Sequence, residues 1–255
     1  MIAAGSATQE SFSAGWYGKI PGTGDFITRR MPPAFSESWD RWLQAAIAGS
    51  RDRLGGRWRD TFLSMPIWRF VLSPGMLTPN ARAGIMAPSV DAVGRYFPLA
   101  VASALPSASL DMIGTLMAAQ SWFDDIETIA LSAIAPAADS AVIDAAIVQK
   151  PFRTEWLRFP EGRDDTVPIR SAKPQMLWVP LGARTEVPAP REVLELAARL
   201  AEPTAAWLAE DSELFGRCLL LCEALPPAEQ YCAMMDGRWV ERGWGRRDVR
   251  NAAAA

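Results

Sequence analysis

Apolar residues recur at three- and four-residue intervals over residues 33–54, where Phe35, Trp39, Trp42, Leu43, Ala46 and Ile47 fall on one side and Gly55-Gly56 follows. That spacing predicts an amphipathic helix whose tryptophan face is buried and whose end is set by the glycine pair. A second helical pattern covers about residues 110–134, with Leu116, Ala119, Phe123, Ile126, Ala130 and Ala133 on one face. It predicts a single long helix, with Asp124, Asp125 and Glu127 as a solvated stripe beside the apolar one. Shorter helices are predicted over residues 58–63, 139–149, 191–201 and 227–235.

Between these segments lie short apolar runs bounded by proline or glycine, at residues 16–20, 67–72, 84–87, 99–105, 176–181 and 217–223. Runs of that length and bounding predict strands. The first ends at Pro21-Gly22-Thr23-Gly24, a tight turn whose two glycines are free to take positive φ. Strands alternating with helices predict an α/β class, a three-layer αβα sandwich around a mixed sheet in a single large domain, with α+β as the alternative. Residues 1–13 are expected to be a flexible lead-in, residues 14–240 the domain, and residues 241–255 a tail carrying Arg242, Arg246, Arg247 and Arg250. Residues 150–174, rich in charge and proline, are expected to form a surface excursion.

Composition narrows the chemistry more than the fold. With 255 residues, 49% of them hydrophobic, the chain can bury a large core without disulfides or a structural metal. A net charge of -3 gives no reason to expect nucleic acid. No run approaches the roughly 18 apolar residues of a membrane span, so a cytoplasmic protein without membrane insertion is expected. The chain contains no histidine, which excludes serine or cysteine triads built on imidazole and histidine-bearing metal sites. Cys218, Cys222 and Cys232 fit core packing better than zinc, because Leu219, Leu220 and Leu221 separate the first two.

Two motif-like stretches fail on inspection. Gly18-Lys19 is followed by Ile20 where a phosphate-binding loop needs a hydroxyl residue, and Gly22-Thr23-Gly24 lacks the third glycine of a dinucleotide fingerprint. Asp25, Arg29, Arg30, Arg69, Asp91 and Arg95 could form an acid–base site if the fold gathers them. Each aspartate, however, has an arginine close in sequence, which lowers a carboxyl pKa rather than raising it to a catalytic value. Ion pairs that pin turns, or a polar face for a partner, fit these residues better than catalysis. The sequence therefore suggests no catalytic residue, cofactor or metal. It suggests instead a structural or partner-binding cluster of Trp16, Lys19, Asp25, Phe26, Arg69, Asp91 and Arg95 at one end of the sheet.

Four segments carry a family resemblance: GWYGKIPGTGDFITRRMP at residues 15–32, the WDRWLQ helix segment at 39–44, PIWRF at 66–70 and PSVDAVGRYFPL at 88–99. In order and spacing they resemble the TagF proteins associated with bacterial type VI secretion. CLLLCEALP at 218–226 and MMDGRW at 234–239 continue the resemblance, while Ala206-Trp207-Leu208 stands where family members carry a tryptophan pair. The resemblance implies a non-enzymatic, stand-alone regulator that represses assembly of the secretion apparatus after translation. Its implied partner is the forkhead-associated scaffold protein of that system. The competing classes are an enzyme using carboxylate and arginine groups, and a structural accessory subunit of the machine.

Overall fold

The computed structural model describes residues 12–106, 110–136, 138–159, 176–181, 205–210, 212 and 214–246. Its centre is one sheet built from β1 (Gly15–Gly18), β2 (Ile27–Arg29), β3 (Trp68–Leu72), β4 (Arg82–Ala87), β5 (Leu99–Ala104), β6 (Met176–Pro180), β7 (Ala205–Ala209), β8 (Cys218–Cys222) and β9 (Gly245–Arg246). The spatial order is β2-β1-β5-β4-β3-β7-β8-β6-β9. The first eight strands in that order pair antiparallel, and two-residue β9 joins β6 in parallel, which makes the sheet mixed.

Side chains alternate across this sheet and both faces are covered. From β3, Trp68, Phe70 and Leu72 enter one core with α1 (Pro33–Leu54), α2 (Trp58–Leu63) and α6 (Ala228–Asp236). Val71 of the same strand enters the other core with α3 (Met112–Ala118), α4 (Gln120–Ala133) and α5 (Ser140–Val148). The result is the expected three-layer αβα arrangement. It also explains why the inner strands carry no hydrophobic–polar alternation: a strand buried on both faces needs apolar residues at every position.

The predicted helices over 33–54 and 58–63 coincide with α1 and α2. The long helix expected over 110–134 is two helices, broken at Ala119. α3 packs on β3 and β7 whereas α4 packs on β4 and β5, and one straight rod could not follow both pairs across the twisted sheet. β7 has the sequence AAWLA, all five residues buried, and periodicity alone gave it no assignment. Short β2 and β9 were also unforeseen, being held by their neighbours in the sheet rather than by any pattern of their own. Around the first turn the glycine with positive φ is Gly18, at 139°, rather than Gly22 or Gly24. A Cβ there would lie 2.3 Å from the Pro98 carbonyl oxygen, so β1 can approach the start of β5 only as glycine.

Residues 151–159, expected on the surface, instead tuck Phe152 and Leu157 into the core beside Trp122. The helix expected over 191–201 lies outside the described residues, as do residues 1–11 of the lead-in and 247–255 of the tail. All three cysteines are free and buried. Burial pushes the thiols of Cys218 and Cys222 up, so neither is poised to be a thiolate near neutral pH.

Candidate functional site

Two turns meet at one end of the sheet. The first leaves β1 and runs through residues 21–26, and the second, residues 91–95, lies between β4 and β5. Asp91 organises both. One carboxylate oxygen accepts from the backbone N–H of Val93 at 3.1 Å and of Arg95 at 2.8 Å, closing its own turn. The other accepts from Lys19 Nζ at 2.8 Å and Arg95 Nε at 2.6 Å. The Arg95 guanidinium also donates to the Gly24 carbonyl, and the Ala92 N–H donates to the Thr23 carbonyl at 3.0 Å. Ser89 Oγ donates to the Lys19 carbonyl at 2.6 Å. The two turns are thus locked to each other by side chains whose partners lie some 70 residues away in sequence.

The Asp91 carboxylate is fully enclosed, and Lys19 is nearly so. Burial alone would raise the Asp91 carboxyl. The donors from Lys19, Arg95 and Val93 outweigh burial and hold it well below the usual carboxylate range. With four donors on two oxygens Asp91 is a fixed anion and a poor base. The Lys19 ammonium also sits 4.8 Å from the centre of the Phe26 ring, which stacks on Tyr17 and meets Phe97 edge-on. This leaves exposed apolar tips on a rigid base: Phe26 is 43% exposed and Val93 69%.

The seven residues expected to share this end fall into two groups. Lys19, Phe26, Asp91 and Arg95 come together, and Asp25 lies exposed on the same turn, its carbonyl accepting from Thr23 Oγ1. Trp16 and Arg69 belong elsewhere. They sit on one register row of the sheet, Trp16 opposite Val101, Val101 opposite Ile85 and Ile85 opposite Arg69. Three inter-strand spacings, about 14 Å, separate them. Both face the α3–α5 layer. Trp16 Nε1 donates to Asp144 of α5 at 2.7 Å, and Arg30 makes a bidentate pair with the same carboxylate. Arg30 foremost, with Trp16 helping, lowers the Asp144 pKa against partial burial.

Arg69, 1% exposed, donates to Glu127 through two bonds of 2.7 Å, to Asp124 at 2.7 Å and to Gln120 at 2.8 Å. Asp124 and Glu127 are therefore the ligands of a buried guanidinium rather than a solvated stripe, and Asp125 alone pairs outward, with Lys150. Trp16 and Arg69 tie sheet to helix, and their role is structural in geometry. Replacing Asp144 by alanine is expected to cost about 1–2 kcal/mol, because the buried indole N–H of Trp16 loses its acceptor. A denaturant titration reads this, and an unchanged midpoint would contradict it.

A cleft of about 540 Å³ adjoins the turns. Gln44, Ile47 and Arg51 of α1 form one wall, and Arg95, Tyr96 and Phe97 the other. The Arg51 guanidinium lies 4.3 Å from the centre of the Trp58 ring, and Tyr96 packs edge-on against Trp58 and Phe62. Sequence reasoning missed this cleft and Val93. The available signals were an apolar residue inside a polar turn and an arginine run at the end of α1, each of which gains meaning only when the other element is beside it. Among the described residues no group of three or more cysteines and carboxylates is placed to hold a metal ion. None of the described helices is long and apolar enough to cross a membrane.

The family profile described as TagF N-terminal domain, type VI secretion system-associated, matches residues 15–149, which include every residue of the locked turns and both walls of the cleft. A comparison with curated protein sequences gives no match. Among solved structures, the crystal structure of PA0076 from Pseudomonas aeruginosa PAO1 superimposes with a TM-score of 0.71 at 32% identity, covering 89% of this chain and 95% of that one. The match over residues 15–149 thus links this α/β protein to type VI secretion. The chain belongs to the TagF family.

Proposed function

We infer that this protein represses assembly of the type VI secretion apparatus after translation, in the cytoplasm, by binding the system's forkhead-associated scaffold protein. The observation that carries this reading is the turn platform, where exposed Phe26 and Val93 stand on a base fixed by the Lys19–Asp91–Arg95 network. A surface that is rigid before binding loses little entropy on association, and exposed aromatic and arginine groups make the strongest anchors. The enzymatic alternative calls for a carboxyl group freed from its basic partner. Asp91, Asp144 and Glu127 are each held by one, and Asp25, which forms no ion pair among the described residues, lies exposed on a turn and does not line the cleft.

The test combines capture with secretion. A strain lacking the gene should secrete more, and wild-type protein should restore repression and capture the scaffold protein from lysate. A Phe26→Ala, Val93→Ser double variant loses the Phe26 contacts with Tyr17, Phe97 and Lys19, so its melt should fall by roughly 2–8 °C while it stays folded, yet it should capture at least ten-fold less scaffold. Unchanged secretion in the deletion strain, or full capture by the double variant, would sink this reading.

A further inference from the structure

The cleft beside the turns is more than a gap in the surface, because charge is concentrated around it. Arg51, Arg53, Arg57 and Arg59 lie at the end of α1 and just after it, all exposed, and with Asp52 and Asp60 in the same stretch they still leave it net positive in a chain whose net charge is -3. None of the four forms an ion pair among the described residues, in contrast to Arg30, Arg69, Arg217 and Arg242, each of which has a carboxylate. Across the cleft stands Arg95, whose side chain is 56% exposed although Asp91 anchors its Nε. Two guanidiniums therefore face one depression from opposite walls, one stacked on Trp58 and the other tethered to Asp91. Between them Ile47 and Phe97 supply an apolar floor and Tyr96 a half-buried ring.

Asp91 is one carboxylate shared by two cations, Lys19 and Arg95, so a positive charge remains on this wall opposite Arg51, and an anion placed between the two arginines removes their repulsion. Because both arginines are held in place before anything binds, neither has to give up much side-chain freedom on contact. We propose that the cleft between α1 and residues 94–97 is the docking groove for an acidic peptide segment of the protein's partner. Carboxylates of the segment pair with Arg51 and Arg95, an apolar side chain of it rests on Ile47 and Phe97, and Arg57 and Arg59, on either side of Trp58, steer its approach. An extended acidic segment suits the site because Arg57 and Arg59 continue the positive charge past the end of α1, on either side of the Trp58 that packs against Tyr96 and Arg51. This rests on the partner-binding role inferred above and specifies its chemistry.

Fluorescence polarisation tests it with purified protein and a fluorescein-labelled peptide of glutamate and aspartate interrupted by one leucine. Binding should weaken steadily as salt is raised. Arg51→Glu should weaken it about thirty-fold or more, as loss of a binding hot spot does. Ala48→Trp, which fills the cleft from an exposed helix position without changing charge, should do the same, whereas Arg153→Glu, outside the cleft, should leave affinity within two-fold. No binding, equal binding by all three variants, or much tighter binding of a phosphothreonine peptide or an oligonucleotide would overturn the assignment. The same variants are then used to capture the scaffold protein. If that protein binds wild type and both cleft variants alike, the groove assignment fails and the regulatory reading stands. If the acidic peptide binds in the cleft and the scaffold protein does not bind at all, the regulatory reading fails and the groove assignment stands.

Discussion

Asp91→Ala is expected to destabilise the protein by about 3–5 kcal/mol, the range for removing one member of a buried ion pair. The loss has three sources. The Lys19 ammonium remains enclosed without its counter-ion, the Val93 and Arg95 amides lose their acceptor, and the contact between the two turns loses its centre. At roughly 2–4 °C of melting temperature per kcal/mol for a chain of this size, the melt should fall by about 6–20 °C. The companion change Lys19→Met, Asp91→Asn should recover part of that loss, because no charge is then left buried.

The same network fixes a pH dependence. The folded-state pKa of Asp91 lies below its unfolded value of about 3.9, so the unfolded chain binds more protons in the interval between the two. The stabilisation is therefore complete above roughly pH 5 and is lost as pH falls from there toward the folded-state pKa. Chemical denaturation at pH 7 and pH 3 should show a gap between wild type and Asp91→Asn that is wide at pH 7 and narrower at pH 3. A gap of constant width would mean that the carboxylate charge contributes nothing to the fold.

Arg69→Met should destabilise by about 2–3 kcal/mol, as loss of a charge-assisted hydrogen-bond network does. The cost stays below that for Asp91 because Asp124 is 44% exposed and Glu127 19%, so water can take up part of the released charge. Arg69→Lys should recover little. A planar guanidinium reaches Gln120, Asp124 and Glu127 from separate nitrogens, whereas an ammonium is a single point. Folded Arg69→Met should still capture the partner, because Arg69 is 1% exposed and lies between sheet and helix. Lost capture at an unchanged melting temperature would return Arg69 to the binding surface.

The contrast between Asp91 and Arg69 marks what could be read in advance. Both were visible in sequence as charges beside apolar runs. The argument that nearby arginines lower a carboxyl pKa holds for Asp91, whose neighbour Arg95 does bind it. It said nothing of Lys19, 72 positions away, whose nearly enclosed ammonium is the other cation on that carboxylate. For Arg69 the sequence suggested the wrong neighbours. Its partners come from α4, whose acids read as a solvated stripe because helical periodicity records which face is apolar and not what packs at the edge of that face.

The sequence by itself determined the helices whose apolar stripe and stop signals agree, α1 and α2 above all, the α/β layering, and the family through the motifs at both turns. These depend on local spacing, which a linear chain displays. The tertiary structure alone decided that the sheet is almost wholly antiparallel, that AAWLA is one of its inner strands, and that helix 110–134 breaks at Ala119. It alone also divided the seven candidate residues between a braced surface and a sheet-to-helix tie. Strands buried on both faces carry no alternation to reveal direction or order, and a charge acquires its partner only when distant segments are brought within hydrogen-bond reach.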